Sequence, residues 1–241
     1  MGGARYWGGL GSSDAFYADW SGSTSAITWD LAKSQNAPMT LSNGVSVQGV
    51  DRLMLRLGSG DDRIVAGGLH DWIYTGAGND YVDAGGGNDT VSSGAGDDYV
   101  DAGSGYDAVS LGDGDDRVVW HGFSSYLDLS GGDGIDKLVA DLRGDTNPSV
   151  YGYRTRIYHT QGGPAVDFWS SLTDVEAMLA APGNTVIDDW NNGYVSFSDI
   201  EQVDYLGRTT AGLPSYAYDD LMIDMGGARY WGGLGSSDAF Y

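Results

Sequence analysis

Aspartate recurs at every ninth position through the middle of the chain. Between Leu57 and Val119 the sequence divides into seven blocks of nine residues, and the sixth residue of every block is Asp. These aspartates are Asp62, Asp71, Asp80, Asp89, Asp98, Asp107 and Asp116. Carboxylates are hard oxygen ligands of the kind that Ca²⁺ prefers. The spacing therefore predicts a series of calcium sites, because so many carboxylates at a regular interval would repel one another without cations.

The other fixed positions of the blocks describe a turn followed by a short strand. The second residue is always Gly, the fourth is Gly in every block except the one with Leu69, and the eighth is Ile or Val. Glycine allows positive φ and close packing of turns, and a β-branched residue suits the inward-facing middle of a strand. A further block at 131–139 keeps both glycines, has Leu138 at the apolar eighth position and adds Asp136. Turn carbonyls would complete each site, and the candidate ligands are the carbonyl oxygens of Gly60, Gly78, Gly87, Gly96 and Gly114.

The blocks resemble the calcium-binding nonapeptide of the repeats-in-toxin (RTX) family, G-G-x-G-x-D-x-U-x, where U is a large apolar residue. Position one departs from that pattern, since it is Gly in none of the seven blocks. The resemblance implies an all-β fold, a right-handed parallel β-roll that continues into a less regular β-helix.

The resemblance also implies how the aspartates pair, because RTX turns two blocks apart hold one Ca²⁺ between them. Five sites follow, and Asp116 with Asp136 would make a sixth. The next block, 120–128, has Ser125 in place of Asp and Leu127 at its apolar position, followed by two extra residues. The series of sites that contains Asp71, Asp89 and Asp107 is therefore predicted to end at Asp107. The five pairs are Asp62 with Asp80, Asp80 with Asp98, Asp98 with Asp116, Asp71 with Asp89, and Asp89 with Asp107.

The rest of the chain divides around this array. Short alternating apolar and polar runs at 23–56 predict strands, and Ser171 with Asp174 predicts a helix near 172–180. The predicted units are an irregular β-helical lead-in at 1–56, the nonapeptide β-roll at 57–139, a diverged second half at 140–224 with a helix-bearing insertion at 145–190, and the start of a next tandem unit at 225–241.

Two levels of internal repetition support this division. Residues 225–241 repeat residues 1–17 letter for letter, which predicts identical units in tandem. More weakly, 8–22 resembles 131–144 and 45–58 resembles 195–207, which predicts a duplication within one unit.

Composition narrows the function. The net charge of −22 disfavours nucleic acid and anionic lipid as partners, and the sequence has no apolar run of membrane-spanning length. The chain has no cysteine, which excludes disulfides and thiolate metal sites. His70, His121 and His159 lie in no known catalytic motif, so the chain is predicted not to be an enzyme.

The resemblance implies a calcium-stiffened structural unit of a large bacterial protein that is secreted or held at the cell surface after type I secretion. One alternative is a glycan-binding adhesin module that uses the aromatic residues of the insertion. Another is an appendage to an enzyme elsewhere in the same polypeptide. The aromatic residues in question are Tyr151, Tyr153, Tyr158, Trp169 and Trp190.

Overall fold

The structure is a computed structural model, and most of the well-described part lies in the first 141 residues. Five short segments, 154–159, 185–189, 203–206, 220–223 and 231–232, are described only as strands. The described residues are 5–8, 11, 13–121, 125–141, 154–159, 185–189, 193–206, 220–223 and 231–232.

The described residues form short strands and a single helix, α1 (Leu31–Asn36). The strands up to the end of the array are β1 (Arg5–Trp7), β2 (Ala15–Asp19), β3 (Thr28–Asp30), β4 (Met39–Thr40), β5 (Ser46–Gln48), β6 (Arg52–Arg56), β7 (Arg63–Val65), β8 (Trp72–Ala77), β9 (Tyr81–Asp83), β10 (Gly86–Gly87), β11 (Thr90–Ala95), β12 (Tyr99–Asp101), β13 (Ser104–Asp113), β14 (Arg117–Trp120), β15 (Tyr126–Asp133) and β16 (Lys137–Asp141). The later strands are β17 (Arg154–His159), β18 (Thr185–Asp189), β19 (Gly193–Ser198), β20 (Gln202–Leu206), β21 (Asp220–Ile223) and β22 (Trp231–Gly232).

Alternate nonapeptide blocks enter alternate sheets, so one coil of the solenoid contains two blocks. In the long sheet, ordered β2-β6-β8-β11-β13-β15-β19-β18-β17-β21-β22, Val91 pairs with Ile73 and Val109, each 18 residues away. In the short sheet, ordered β20-β16-β14-β12-β9-β7-β3, Val100 pairs with Val82 at the same interval. These pairings are parallel, as the sequence predicts for an all-β parallel roll.

A narrow apolar core lies between the two sheets. The β-branched residue at the eighth position of every block points into it and is at most 4% exposed. The same core continues into the lead-in through Phe16, Trp29 and Leu55, and towards the later strands through Leu129 and Phe197. Burial of one apolar residue per strand from each sheet explains why such short strands are stable only when they are stacked.

The long sheet extends beyond the array with a change of direction. Strand β19 pairs in parallel with β15, but β18 is antiparallel to both β19 and β17. Strand β17 lies within the predicted insertion. Among the described residues, no helix has the length and apolar character needed to cross a membrane.

The helix of the lead-in was not predicted, because the sequence there alternates as a strand would. Strand β3 ends at Asp30, whose side chain accepts a hydrogen bond from the Lys33 amide at 3.3 Å and caps α1. Pro38 follows the helix and prevents its extension. The prediction that Leu31 continues a strand is therefore wrong. The helix predicted at 172–180 lies outside the described residues.

The register after the array also differs from the prediction. The two extra residues were expected to follow the strand that contains Leu127, but the structure pairs Val109 with Leu129 and Asp107 with Leu127. The additional residues therefore precede β15. Ser125 does not occupy the row of Asp107, and its hydroxyl instead donates to a glycine carbonyl at 3.1 Å. This register places both leucines in the core, where each is at most 2% exposed.

Candidate cation sites in the stacked turns

The sixth-position aspartates form two rows, one along each edge where a turn enters a strand. The first row enters the short sheet and the second enters the long sheet. All eight side chains are buried, with exposed fractions between 0% and 4%. The first row contains Asp62, Asp80, Asp98, Asp116 and Asp136, and the second contains Asp71, Asp89 and Asp107.

One carboxylate oxygen of each aspartate joins its coil to the coil before it. Oδ1 of Asp98, for example, accepts a hydrogen bond from the Asp80 amide at 2.7 Å. The remaining in-row contacts repeat this bond with distances from 2.7 to 3.0 Å. At the start of each row, Oδ1 of Asp62 accepts from the Ile27 amide and Oδ1 of Asp71 from the Leu53 amide. Turns two blocks apart are thus joined by amide-to-carboxylate hydrogen bonds, and the sharing of an ion between them stays a prediction.

The second carboxylate oxygen has no hydrogen-bond donor in seven of the eight aspartates, although it is buried. Asp71 is the exception, since its Oδ2 accepts from the Gly67 amide at 3.3 Å. A buried carboxylate oxygen without a donor is costly unless a proton or a cation satisfies it. The residues with an unpartnered Oδ2 are Asp62, Asp80, Asp89, Asp98, Asp107, Asp116 and Asp136.

Burial raises the pKa values of the aspartates in both rows. Desolvation, together with smaller contributions from the charges of Asp107 and Asp71, raises the pKa of Asp89 to about 8. For Asp98, desolvation raises the pKa to about 7, with added repulsion from Asp80 and Asp116. Burial also raises the pKa to about 6 at Asp62, Asp71, Asp107 and Asp136. Without a cation, burial and mutual repulsion therefore disfavour the charged form of these carboxylates, and a cation between them would offset both costs.

The carbonyl oxygens of the glycines that are predicted as calcium ligands face the next turn of the same row. The Gly78 carbonyl oxygen lies 2.2 Å from the point where a Cβ on Gly96 would sit, and the Gly96 oxygen stands in the same relation to Gly114. The Gly60, Gly87 and Gly114 oxygens point to the following turn in the same way. Oxygen atoms thus line the space between stacked turns, which suits a hard cation.

Side chains alone do not form a complete coordination sphere. Within the described part of the chain, no three carboxylate or imidazole side chains converge as metal ligands. Each ion would therefore need turn carbonyls or water in addition to carboxylates from two turns, which is compatible with the six to eight oxygen ligands of Ca²⁺. The residues present fit such an ion.

Comparison with protein families identifies the repeats. A family model described as the RTX calcium-binding nonapeptide repeat, in four copies, matches residues 57–91 and 92–119. Residues 57–119 are RTX repeats. RTX nonapeptide repeats bind calcium, so this segment of the chain is a calcium-binding repeat unit. No curated protein and no solved structure matched the chain. The choice of individual ligands and the number of ions remain predictions.

A second ladder of side chains in the RTX array was not predicted. The fifth-position residue accepts a hydrogen bond from the amide of the following coil, the reverse of the sixth-position bond. Oδ1 of Asp61 accepts from the Asn79 amide at 3.0 Å, and Oδ1 of Asn79 accepts from the Asp97 amide at 3.1 Å. The signal was present in the sequence, since Asp or Asn fills this position in most blocks. His70, which replaces it in one block, is exposed.

The long-sheet row of aspartates stops at both ends where an apolar residue takes the register position. In the long-sheet row, Leu53 precedes Asp71 and Leu127 follows Asp107, and both leucines are fully buried or nearly so. The prediction that this row ends at Asp107 agrees with the register, although the residue in the next position is Leu127 and not Ser125.

Proposed function

We propose that the chain is a structural unit that folds and stiffens when Ca²⁺ enters the turns of its RTX array. The observation that carries the proposal is the series of buried Oδ2 atoms that have no hydrogen-bond donor. We assign the ions to the pairs Asp62–Asp80, Asp80–Asp98, Asp98–Asp116, Asp116–Asp136, Asp71–Asp89 and Asp89–Asp107, with the facing glycine carbonyls as additional ligands. That assignment gives six ions in the two rows.

Electrostatics supports dependence on calcium. The ion pairs Lys33–Asp30 and His121–Asp101 both lie outside the two rows. Arg52 lowers the pKa of Asp71 and Asp89, but desolvation outweighs this effect, so the carboxylates of the rows would still be stabilised by cations. Because two turns contribute ligands to one ion only after the coils have stacked, the free energy of calcium binding becomes free energy of folding.

Calcium-dependent folding suggests where the unit works. A chain of charge −22 would stay unfolded where calcium is scarce and fold where it is plentiful. RTX repeat proteins are typically secreted, and we propose that this unit is exported through a type I channel and acts without catalysis outside a bacterial cell or at its surface. The identity of residues 1–17 and 225–241 supports an arrangement of such units in tandem. Sequencing the flanking reading frame would test that arrangement.

Circular dichroism tests the proposal directly. Because extracellular calcium modules bind with Kd of about 10⁻⁴–10⁻³ M, we expect β-type ellipticity at a few millimolar Ca²⁺ and loss of most of it in excess chelator. Magnesium at the same concentration is the control, because it requires stricter octahedral geometry and keeps its water ligands. Full β structure and an unchanged melting temperature in chelator would contradict the proposal.

Glycan binding remains a second candidate function, on different residues from those predicted. The aromatic insertion at 145–190 lies largely outside the described residues. Instead, five aromatic side chains on the outer face of the long sheet are between 42% and 73% exposed, and exposed apolar groups gathered on one face often mark a binding site. One of the five, Tyr74, lines a shallow trough of about 400 Å³ with a floor of small residues that includes Ser92 and Ser110. The five are Tyr17, Trp72, Tyr74, Tyr106 and Tyr194.

A glycan array separates the two candidate functions. If this outer face of the long sheet binds neutral sugars, Trp72→Ala and Tyr106→Ala should each weaken binding by about tenfold, because each removes a stacking surface of roughly 1 kcal/mol or more. Ile135→Ala is the matched control, since Ile135 is 53% exposed in a turn away from this face. Absence of any glycan signal in millimolar Ca²⁺ would leave only the structural role.

A further inference from the structure

Beyond the RTX repeats, the carboxylate of Glu201 extends the first row of aspartates across the insertion. Its Oε2 accepts a hydrogen bond from the Asp136 amide at 2.8 Å, as each aspartate of the array does for its predecessor. In return, the Asp136 carbonyl accepts from the amides of Glu201 and Gln202 at 3.1 and 3.0 Å. A nonapeptide turn is here joined to a turn of another type, because residues 199–201 lack the Gly-x-Gly of the repeat.

The same junction occurs a second time, in the lead-in. Oδ2 of Asp51 accepts from the Asp14 amide at 2.9 Å. The Asp14 carbonyl accepts from the amides of Asp51 and Arg52 at 2.8 and 3.1 Å. Asp14 follows a Gly-Gly-Leu-Gly run much as Asp136 follows Gly-Gly-Asp-Gly. The strands after the junctions also correspond, since β2 pairs in parallel with β6 as β16 does with β20.

The short turn has the same conformation at both junctions. Gly49 and Asp199 occupy equivalent positions and both have positive φ, at 65° and 54°. Asp199 is the single non-glycine residue with positive φ among those described. An apolar residue follows each of them, and both Val50 and Ile200 are at most 1% exposed. The shared hydrogen bonds, dihedrals and burial agree with the weak repeat of 8–22 at 131–144 and of 45–58 at 195–207, and they show that the junction itself recurs.

Both junctions leave a buried carboxylate oxygen without a donor. Asp136 is 0% exposed, and its Oδ2 has no hydrogen-bond partner. Oδ2 of Asp14 is likewise buried and unpartnered. The Asp199 carbonyl oxygen and Oδ2 of Asp136 both approach the point where a Cβ on Gly131 would sit, at 1.6 and 2.5 Å from it. The unpartnered Oδ2 of Asp136 and the Asp199 carbonyl oxygen thus face one point, and a cation between them would stabilise both oxygens.

In the lead-in, the Gly49 carbonyl oxygen lies in the position that the Asp199 carbonyl oxygen takes at the other junction. The Gly49 oxygen lies 1.9 Å from the point where a Cβ on Gly8 would sit, and the Cβ of Asp14 lies 2.9 Å from that point. The point where a Cβ on Gly11 would sit is also close to the Asp14 carboxylate, at 3.0 Å from Oδ2. A side chain at either glycine would fill the space between the two turns.

We propose that the junctions Asp14–Asp51 and Asp136–Glu201 are two further Ca²⁺ sites, one on each side of the RTX array. Each uses a carboxylate from a Gly-Gly turn, a carboxylate from the short turn, and the carbonyl of the positive-φ residue. The inference rests on the proposed calcium function, because it extends the same chemistry beyond residues 57–119. Calcium at Asp136–Glu201 fastens strand β20 to the array after the long insertion, and calcium at Asp14–Asp51 fastens β2 to β6.

Calorimetric calcium titration of charge-only variants tests these sites. Asn and Gln keep an oxygen that can accept the amide hydrogen bond but remove the negative charge, so Asp51→Asn and Glu201→Gln should each lower the stoichiometry by about one ion. The double variant should lose about two, because the sites lie on opposite sides of the array. Asp133→Asn is the matched control, since Asp133 is exposed in the same Gly-Gly turn as Asp136 and should not change the count.

The possible results separate this inference from the proposed function. A wild-type chain that binds no calcium would overturn the proposed function and with it these sites. A wild-type chain that binds calcium, with Asp51→Asn and Glu201→Gln unchanged in stoichiometry and affinity, would overturn the junction sites alone and leave their carboxylates as amide caps. If one variant fails to fold in calcium, as judged by circular dichroism, the other still decides for its own junction.

Discussion

Within a single RTX aspartate, the two carboxylate oxygens have different roles. Oδ1 holds the preceding coil through one amide hydrogen bond, whereas Oδ2 is buried and free of donors. The neighbouring fifth-position side chain, such as that of Asn79, accepts from the following coil. Each turn is therefore tied to both neighbours by hydrogen bonds that do not involve the unpartnered oxygen. Loss of calcium and loss of turn stacking can be separated experimentally for this reason.

Replacement of a shared aspartate should cost more calcium than replacement of a terminal one. Asp98 belongs to two of the proposed pairs and Asp62 to one, so Asp98→Ala should remove about two ions and Asp62→Ala about one. Both substitutions also remove one amide hydrogen bond, worth about 1 kcal/mol, so the loss of stability from that bond is the same in the two variants. Calorimetric titration measures the difference. Equal losses would mean that turns two blocks apart do not share ions.

At the scale of the turn and strand, stacking requires that successive backbones approach closely. Gly94 has a φ of 110°, and a Cβ there would lie 1.9 Å from the Gly76 carbonyl oxygen of the preceding coil. The first block reaches the same closeness without positive φ, because a Cβ on Gly58 would lie 1.9 Å from the Ser23 carbonyl oxygen. Glycine is thus required by contact between coils in both cases, and by the dihedral only at Gly94.

Gly94→Ala should destabilise the calcium-loaded roll by at least about 2 kcal/mol, because the strained dihedral and the backbone clash add. Urea unfolding in saturating Ca²⁺ measures this effect. Gly22→Ala is the control, since a Cβ there meets no atom within 4 Å. A midpoint for Gly94→Ala equal to that of the control would show that the coils can separate locally without cost.

For the whole molecule, the buried aspartates should give folding without calcium and binding of calcium opposite dependences on pH. In the calcium-free fold the pKa of Asp89 is raised to about 8, that of Asp98 to about 7 and that of Asp62 to about 6, all above the ordinary 3.8. The folded chain therefore binds more protons than the unfolded chain between about pH 4 and 8. Its stability is greatest below that window and falls as pH rises through the folded pKa values.

We therefore expect acidification from pH 8 to pH 5 in chelator to increase β-type ellipticity. In subsaturating Ca²⁺ the same acidification should weaken binding, because protons compete for the carboxylates. Circular dichroism and calcium titration at the two pH values measure these effects. A calcium-free chain that loses β structure on acidification would show that the rows are not desolvated as the structure has them.

The sequence by itself determined the array, because its interactions repeat with the period of the chain. Each block carries its own turn, its own inward apolar residue and its own aspartate, so the spacing was sufficient to predict the two rows and the parallel pairing. It also contained the fifth-position ladder, which was overlooked because Asp and Asn alternate there with other residues. Periodic contacts can be predicted because every coil faces a copy of itself.

Only the tertiary structure decided the parts whose partners are not periodic. The register that sets Leu127 opposite Asp107, and the junction of Asp136 with Glu201 across the insertion, depend on which distant strand arrives next. The identical ends of the chain show this most directly. Trp7 lies in β1, which is parallel to β5, whereas its copy Trp231 lies in β22, which is antiparallel to β21. The same residues pair differently because a strand's hydrogen-bond partner is supplied by the surrounding fold.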